Sequence, residues 1–228
     1  MKIRSSVIVC AIALFSVMHE GLLTSKALAS EVPNSLMVGS TGEQIFTGSQ
    51  IREMGGKPPK LLTGPEKPDV SALHAQGIQG EMFFSGYVGS DGKMHDVIMQ
   101  KSSRSDALDA VGLGLVNGSK FTPAIDSAGN SIAAQVVFPV YLWKDSAMDQ
   151  SFWKKTCSDF TVDADWHSQA YPEEAPDKLR GWLLANGMLF AGAYSNNSMP
   201  KKTPSYQEAY DACKAEPKRK FFDILMQR

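Results

Sequence analysis

The stretch from Gly77 to Trp143 constrains this chain more than any other. Two runs rich in β-formers, Gly80 to Val88 and Met94 to Lys101, flank a Ser90-Asp91-Gly92 turn. An Asp-Gly between alternating apolar runs marks a hairpin, because the turn needs residues that tolerate positive φ. A helical pattern follows. Ser105 or Ser103 can cap it, Asp106 stands in its first turn, and Leu108, Val111, Leu113 and Leu115 supply its apolar face. Gly112 and Gly114 each cost about 1 kcal/mol against alanine there, which points to close backbone packing on a sheet. Ser131 to Trp143 reads as a long third strand, with Ile132, Ala134, Val136, Phe138 and Val140 on one face and Gln135, Val137 and Tyr141 on the other. A short helix over Val70–Gln76, stopped by Gly77, precedes the unit. Strand, hairpin, helix and strand make a small α+β domain, a sheet of about three strands with a packed helix.

A chain of 228 residues has room for this domain and a second small one. A net charge of −1 gives no broad field for nucleic acid, and the paired lysines such as Lys154–Lys155 read as solvated surface.

The N-terminus carries an address. Lys2 and Arg4 precede an apolar run from Val7 to Met18, and Ala27-Leu28-Ala29 is followed by Ser30. This describes a secretory signal peptide over residues 1–29, cleaved between Ala29 and Ser30. The run is short of the ~20 apolar residues that a spanning helix needs. The rival reading is a retained N-terminal anchor. Export leaves Cys157 and Cys213 in the mature chain. In an oxidising compartment they read as one disulfide closing a loop of about 57 residues, worth on the order of 4 kcal/mol, with two free thiols as the alternative.

Residues 30–67 are rich in Gly and Pro and read as a flexible linker, with a short strand at Gln44–Phe46. The α+β domain then occupies residues 68–144. Residues 149–228 change character to helix formers, aromatics and Pro, and read as a small all-α disulfide-containing domain. Ser205 and Glu208 form a capping box, and Tyr206, Ala209, Tyr210 and Cys213 recur at helical spacing, which puts Cys213 on a buried face.

No catalytic constellation stands out, and the chain is read as a non-enzyme without cofactor or metal. His95 adjoins Asp96 in a strand, where neighbours face opposite ways. His167 reads as structural. Asp159, Asp163 and Asp165 lack the glycine and terminal Glu of a calcium loop and read as a solvated helix start. No phosphate loop, nucleophile elbow or zinc helix is present.

Several pieces occur in a telling order. They are Ala75 to Glu81, the Asp91-Gly92-Lys93 turn, Lys101-Ser102-Ser103, Leu108-Asp109, Lys120 to Ala124 and Phe138-Pro139-Val140. This set resembles the C-terminal domain of TonB-type energy transducers over Pro68 to Trp143. Ser119 stands where that family usually has an aromatic residue, and the chain lacks the family's long Pro-rich spacer. The resemblance implies a protein partner, an extended segment of an envelope or outer-membrane transport protein, added as a strand beside Gln135, Val137, Phe138, Val140 and Tyr141. Self-association through that edge, a homodimer, or a covering by the C-terminal segment is the competing use. Trp153 to Phe160 and the Cys213 to Phe221 stretch resemble HdeA-type periplasmic proteins, with a disulfide between such cysteines. The function expected is that of an exported periplasmic protein-binding module. The alternatives are an HdeA-like stress chaperone exposing Trp153, Phe160, Trp182 and Phe221, or a transducer held in the membrane by an uncleaved N-terminus.

Overall fold

The computed structural model describes residues 37–146, 150–195 and 203–227. The expected signal segment and its Ala29–Ser30 junction lie outside them. The hairpin forms as its turn chemistry predicts. β4 (Gly80–Val88) and β5 (Met94–Lys101) are antiparallel, and Gly92 takes a φ of 75° at the turn. β8 (Ser131–Leu142) runs antiparallel to β4 in one uninterrupted register from Val88↔Ala134 to Gly80↔Leu142. Between them in sequence lies α3 (Asp106–Gly118), capped by the Ser105 hydroxyl, which accepts the Leu108 N–H. Ser103 does not cap. Its hydroxyl and N–H donate to the buried Asp109 carboxylate at 2.6 and 2.8 Å, and this ties the end of β5 to the helix.

Alternation along β4 and β8 sends Met82, Phe84, Val88, Val140 and Leu142 inward, where they pack with Leu108 and Val116 of α3. Gly112 lets the helix approach, because a Cβ there would run into the Met82 sulfur. Gly114 faces open space, so the close-packing expectation holds for only one of the pair.

Residues 37–63 are more than a linker. They contribute β1 (Met37–Val38), β2 (Gln44–Phe46), α1 (Gly48–Glu53) and β3 (Lys60–Thr63). β2 lies parallel to β8 at Ala133 and Ala134, and the sheet order is β1-β2-β8-β4-β5. β7 (Ala124–Ile125) also pairs with β8, and β3 pairs with β6 (Lys120–Thr122). The sheet thus has six strands where about three were expected. The added strands are too short to show periodicity, and long-range contacts order them instead. A Thr47–Gln50 capping box starts α1, whose Ile51 is fully buried against Ala124 and Ala134. The Tyr87 hydroxyl accepts the Thr41 N–H at 3.2 Å, and Glu43 accepts the Ser90 N–H at 3.0 Å.

The C-terminal part is helical: α4 (Gln150–Trp153), α5 (Cys157–Ala170), α6 (Arg180–Ser195), α7 (Tyr206–Ala215) and α8 (Phe221–Leu225). Cys157 and Cys213 are joined in a disulfide between α5 and α7. Phe160 stacks on Phe221 beside it, with centroids 4.1 Å apart. Residues from Leu36 onward form one compact unit, so sheet and helices pack together. Gly77, at φ 78°, lies so close to α5 that a Cβ would meet the Val162 carbonyl. Tyr171 donates to the Ser103 carbonyl at 3.1 Å, and Arg104 pairs with Glu173 at 2.8 Å.

Asp163 is not part of a solvated helix start. It is fully buried and pairs with Lys144 at 2.9 Å and with Lys155, which in turn holds Asp145 at 2.6 Å. Burial opposes charge on Lys155, and the carboxylates of Asp163 and Asp145 more than reverse this, holding its ammonium above the ordinary lysine range. Removing the lysine would strand the buried Asp145 and leave the buried Asp163 with Lys144 alone. Lys155→Met is therefore expected to lower the unfolding free energy by about 3–5 kcal/mol in a urea titration.

Glu43 is held below the ordinary glutamate range by hydrogen bonds from Ser90 and then Thr41, and Asp96 is lowered in the same way by Ser40. In the folded chain these groups bind protons less readily than when unfolded. Their contribution is full above the ordinary carboxylate range and is lost as pH falls through and below it. Hydrogen exchange at β2, corrected for intrinsic rate, should accelerate between about pH 5 and about pH 3, and Glu43→Gln should remove most of that dependence.

Candidate protein-binding edge

β8 is held along its whole inner half by β4, and on its other side it meets β2 only at Ala133 and Ala134. From Gln135 to Leu142, no described strand pairs with that second side. The strand is therefore interior at its start and an edge thereafter.

Pro139 shows which backbone groups the edge presents. It has no N–H, yet the register with β4 passes through it without a shift. A ladder tolerates proline where its nitrogen faces away from the partner strand. Residues of the same parity, Gln135, Val137 and Tyr141, therefore aim their N–H and C=O groups away from β4. Gln135 lies one residue past the β2 pairing, so Val137 is the first donor well clear of it.

The five residues expected at a binding edge separate into two sets. Val137 and Tyr141 are 63% and 56% exposed, and Gln135 is exposed beside them on the outer face. There Tyr141 meets the Phe83 ring edge-on at 6.3 Å, and Lys101 sits 5.7 Å above Phe83 while pairing with Glu81 at 2.6 Å. Phe138 and Val140 face inward. Val140 is 5% exposed in the core, and Phe138 packs edge-on against Phe121 at 5.7 Å.

A groove of about 340 Å³ borders the unpaired stretch. Phe138, Val140 and Leu142 form one wall, and Leu61, Pro65 and Pro68 stand on the other, with Leu115 of α3 contributing. Leu61 and Leu62 of β3 are themselves exposed. Sequence reading missed this second wall, because residues 60–68 show no alternation; only the neighbouring β6 and α3 place them. Ser119, where an aromatic was expected, also lines the groove, its hydroxyl donating to the Leu115 carbonyl at 2.8 Å.

Residues 71–141 match the family model described as Gram-negative bacterial TonB protein C-terminal. This segment is a TonB C-terminal domain. The match covers the short helix α2 (Ser71–His74), the hairpin, α3 and β8, and the chain accordingly carries a TonB-like domain that binds proteins. No curated protein matches the chain significantly. The TonB domain's own edge is preceded by the shorter strands of residues 37–63, which lie outside the matched segment.

Other side chains serve the fold. His74 Nε2 lies 3.3 Å from the Leu142 carbonyl, and His95 stacks on Tyr87 at 5.3 Å while contacting Asp91 at 3.0 Å. Phe160, Trp182 and Phe221 are buried around the disulfide, and Trp153 is half exposed against Phe222. Among the described residues, no group of three His, Cys, Asp or Glu could hold a metal ion, and no helix is long and apolar enough to cross a membrane.

The two faces of β8 predict opposite responses. Val137→Ser should change the unfolding free energy by no more than about 0.5 kcal/mol, as exposed sites do, while Val140→Ala should lower it by about 2 kcal/mol. Chemical denaturation of both variants checks this.

Proposed function

We propose that this protein is an envelope protein-binding module, exported to the periplasm, that captures an extended segment of a partner by adding it as a strand to β8 beyond Gln135. The observation that carries the reading is the unpaired side of β8 next to an apolar groove. An added strand would gain main-chain hydrogen bonds to Val137 and Tyr141. Its alternate side chains would fall into the groove by Phe138, Val140 and Leu61, and the others would lie beside Val137 and Tyr141 on the outer face. Affinity comes from the backbone and selectivity from the groove. The partner class that suits this geometry is an envelope transport protein presenting a flexible apolar segment, as the TonB family match suggests. No catalysis is part of this role.

Photo-crosslinking in cells tests it. A crosslinker at Gln135, Val137 or Tyr141 should capture an envelope protein, and one at Ile98 on the opposite edge strand should not. Val137→Pro removes one backbone donor and should abolish capture from Tyr141, while Val137→Thr keeps it. Capture that survives Val137→Pro in a folded protein, or that is equally strong at Ile98, would refute the strand-addition reading.

A further inference from the structure

A second pocket, of about 170 Å³, lies where the sheet and the helices meet, away from the β8 groove. Three of its lining side chains carry buried polar atoms with no hydrogen-bond partner among the described residues: Gln79 Nε2, Trp166 Nε1 and His167 Nδ1. Gln79 is only 4% exposed and His167 8%. Stranding a buried polar group costs about 1–3 kcal/mol, and native proteins rarely leave such groups unmet. Three around one pocket mark a place built to receive something.

The chemistry of the three is directional. Gln79 Oε1 accepts the Lys144 N–H at 3.1 Å, which orients the amide and leaves its NH₂ as a donor. An indole nitrogen only donates. Both atoms therefore call for acceptors. His167 Nε2 lies 3.5 Å from Glu174 Oε2, and its Nδ1 is the atom left unmet. Of the charged groups lining the pocket, Glu81 and Lys101 neutralise each other, and Glu174 stands against His167. Lys178 and Arg180 line it with no ion-pair partner among the described residues, and Arg180 rests 5.0 Å from the Trp143 ring centroid.

Two donors and two unpaired cations fit a carboxylate. We infer that this pocket binds a small carboxylate. A small free acid has this chemistry, and so does the C-terminal residue of a peptide. The site uses residues on both sides of the junction, so occupancy would brace the helical part against the TonB domain. It does not rest on strand addition at β8.

The Trp166 indole N–H reports directly on the site. In the ¹⁵N-labelled whole chain its resonance is identified by its loss in Trp166→Phe. The probes are lactate, alanine, tri-alanine, tri-alanine amide and N-methylacetamide. A saturable shift is expected with at least one free carboxylate and none with the amide or N-methylacetamide, and Arg180→Gln should weaken binding by about tenfold or more. A response to lactate or alanine alone identifies a free acid as the ligand, and a response to tri-alanine alone identifies a peptide terminus. The proposal is overturned if no carboxylate gives a saturable shift up to tens of millimolar, if N-methylacetamide acts equally, or if Arg180→Gln binds as well as the parent.

Discussion

The antiparallel ladder between β4 and β8 is the constraint on which the rest depends. Its register runs without a bulge from Gly80↔Leu142 to Val88↔Ala134. Because side chains alternate, that one register decides both faces at once. From Val136 to Leu142 the even-numbered residues of β8 pack with Leu108 and Val116, and the odd-numbered ones from Gln135 to Tyr141 face outward. It also decides the edge, since a strand bonded to β4 has one side left, and β2 occupies only its first residues. Pro139 is compatible with this arrangement only in the parity observed. The proline that disqualifies β8 from lying between two full partners thus helps to define it as an edge.

The helical part depends on the same ladder through its ends. Lys144, two residues past the end of β8, reaches Asp163 of α5, while Gly77, shortly before β4, admits α5 at close range. Buried charge then fixes the contact. Asp163 and Asp145 share Lys155, and three such groups out of water are tolerable only while all remain paired. The disulfide and the stacked Phe160 and Phe221 hold the helices to one another. Hydrogen bonds and charge pairs dominate the junction with the sheet, where buried donors at Gln79 and Trp166 are also left without partners among the described residues. An interface of that character suits ligand-dependent bracing better than a second hydrophobic core would.

Much of the TonB domain was legible in the residues. Asp91-Gly92 announced the hairpin, Ser105 the helix start, and the alternation from Ile132 to Tyr141 the two faces of β8. What escaped was structure without a local signal. β1 and β2 are too short to alternate, and they are ordered by Tyr87 and Ser90, about 45 residues away in sequence. Gly- and Pro-rich composition was read as a linker, but those residues make turns that return the chain to the sheet. Asp163 was misread for a related reason. A carboxylate near the start of a helix is usually solvated, and only the arrival of Lys144 and Lys155 from other elements makes its burial affordable.

By itself the sequence determined the local elements, the alternation that sorts β8 into two faces, and the ordered motif that marks a TonB C-terminal domain, because these depend on residues close together in the chain. The tertiary structure decided which side of β8 stays unpaired, that residues 61–68 wall its groove, and that Gln79, Trp166 and His167 share one pocket. Those outcomes depend on which distant segments compete for the same backbone groups and the same buried space. No local pattern encodes that competition; it is settled only when the whole chain packs.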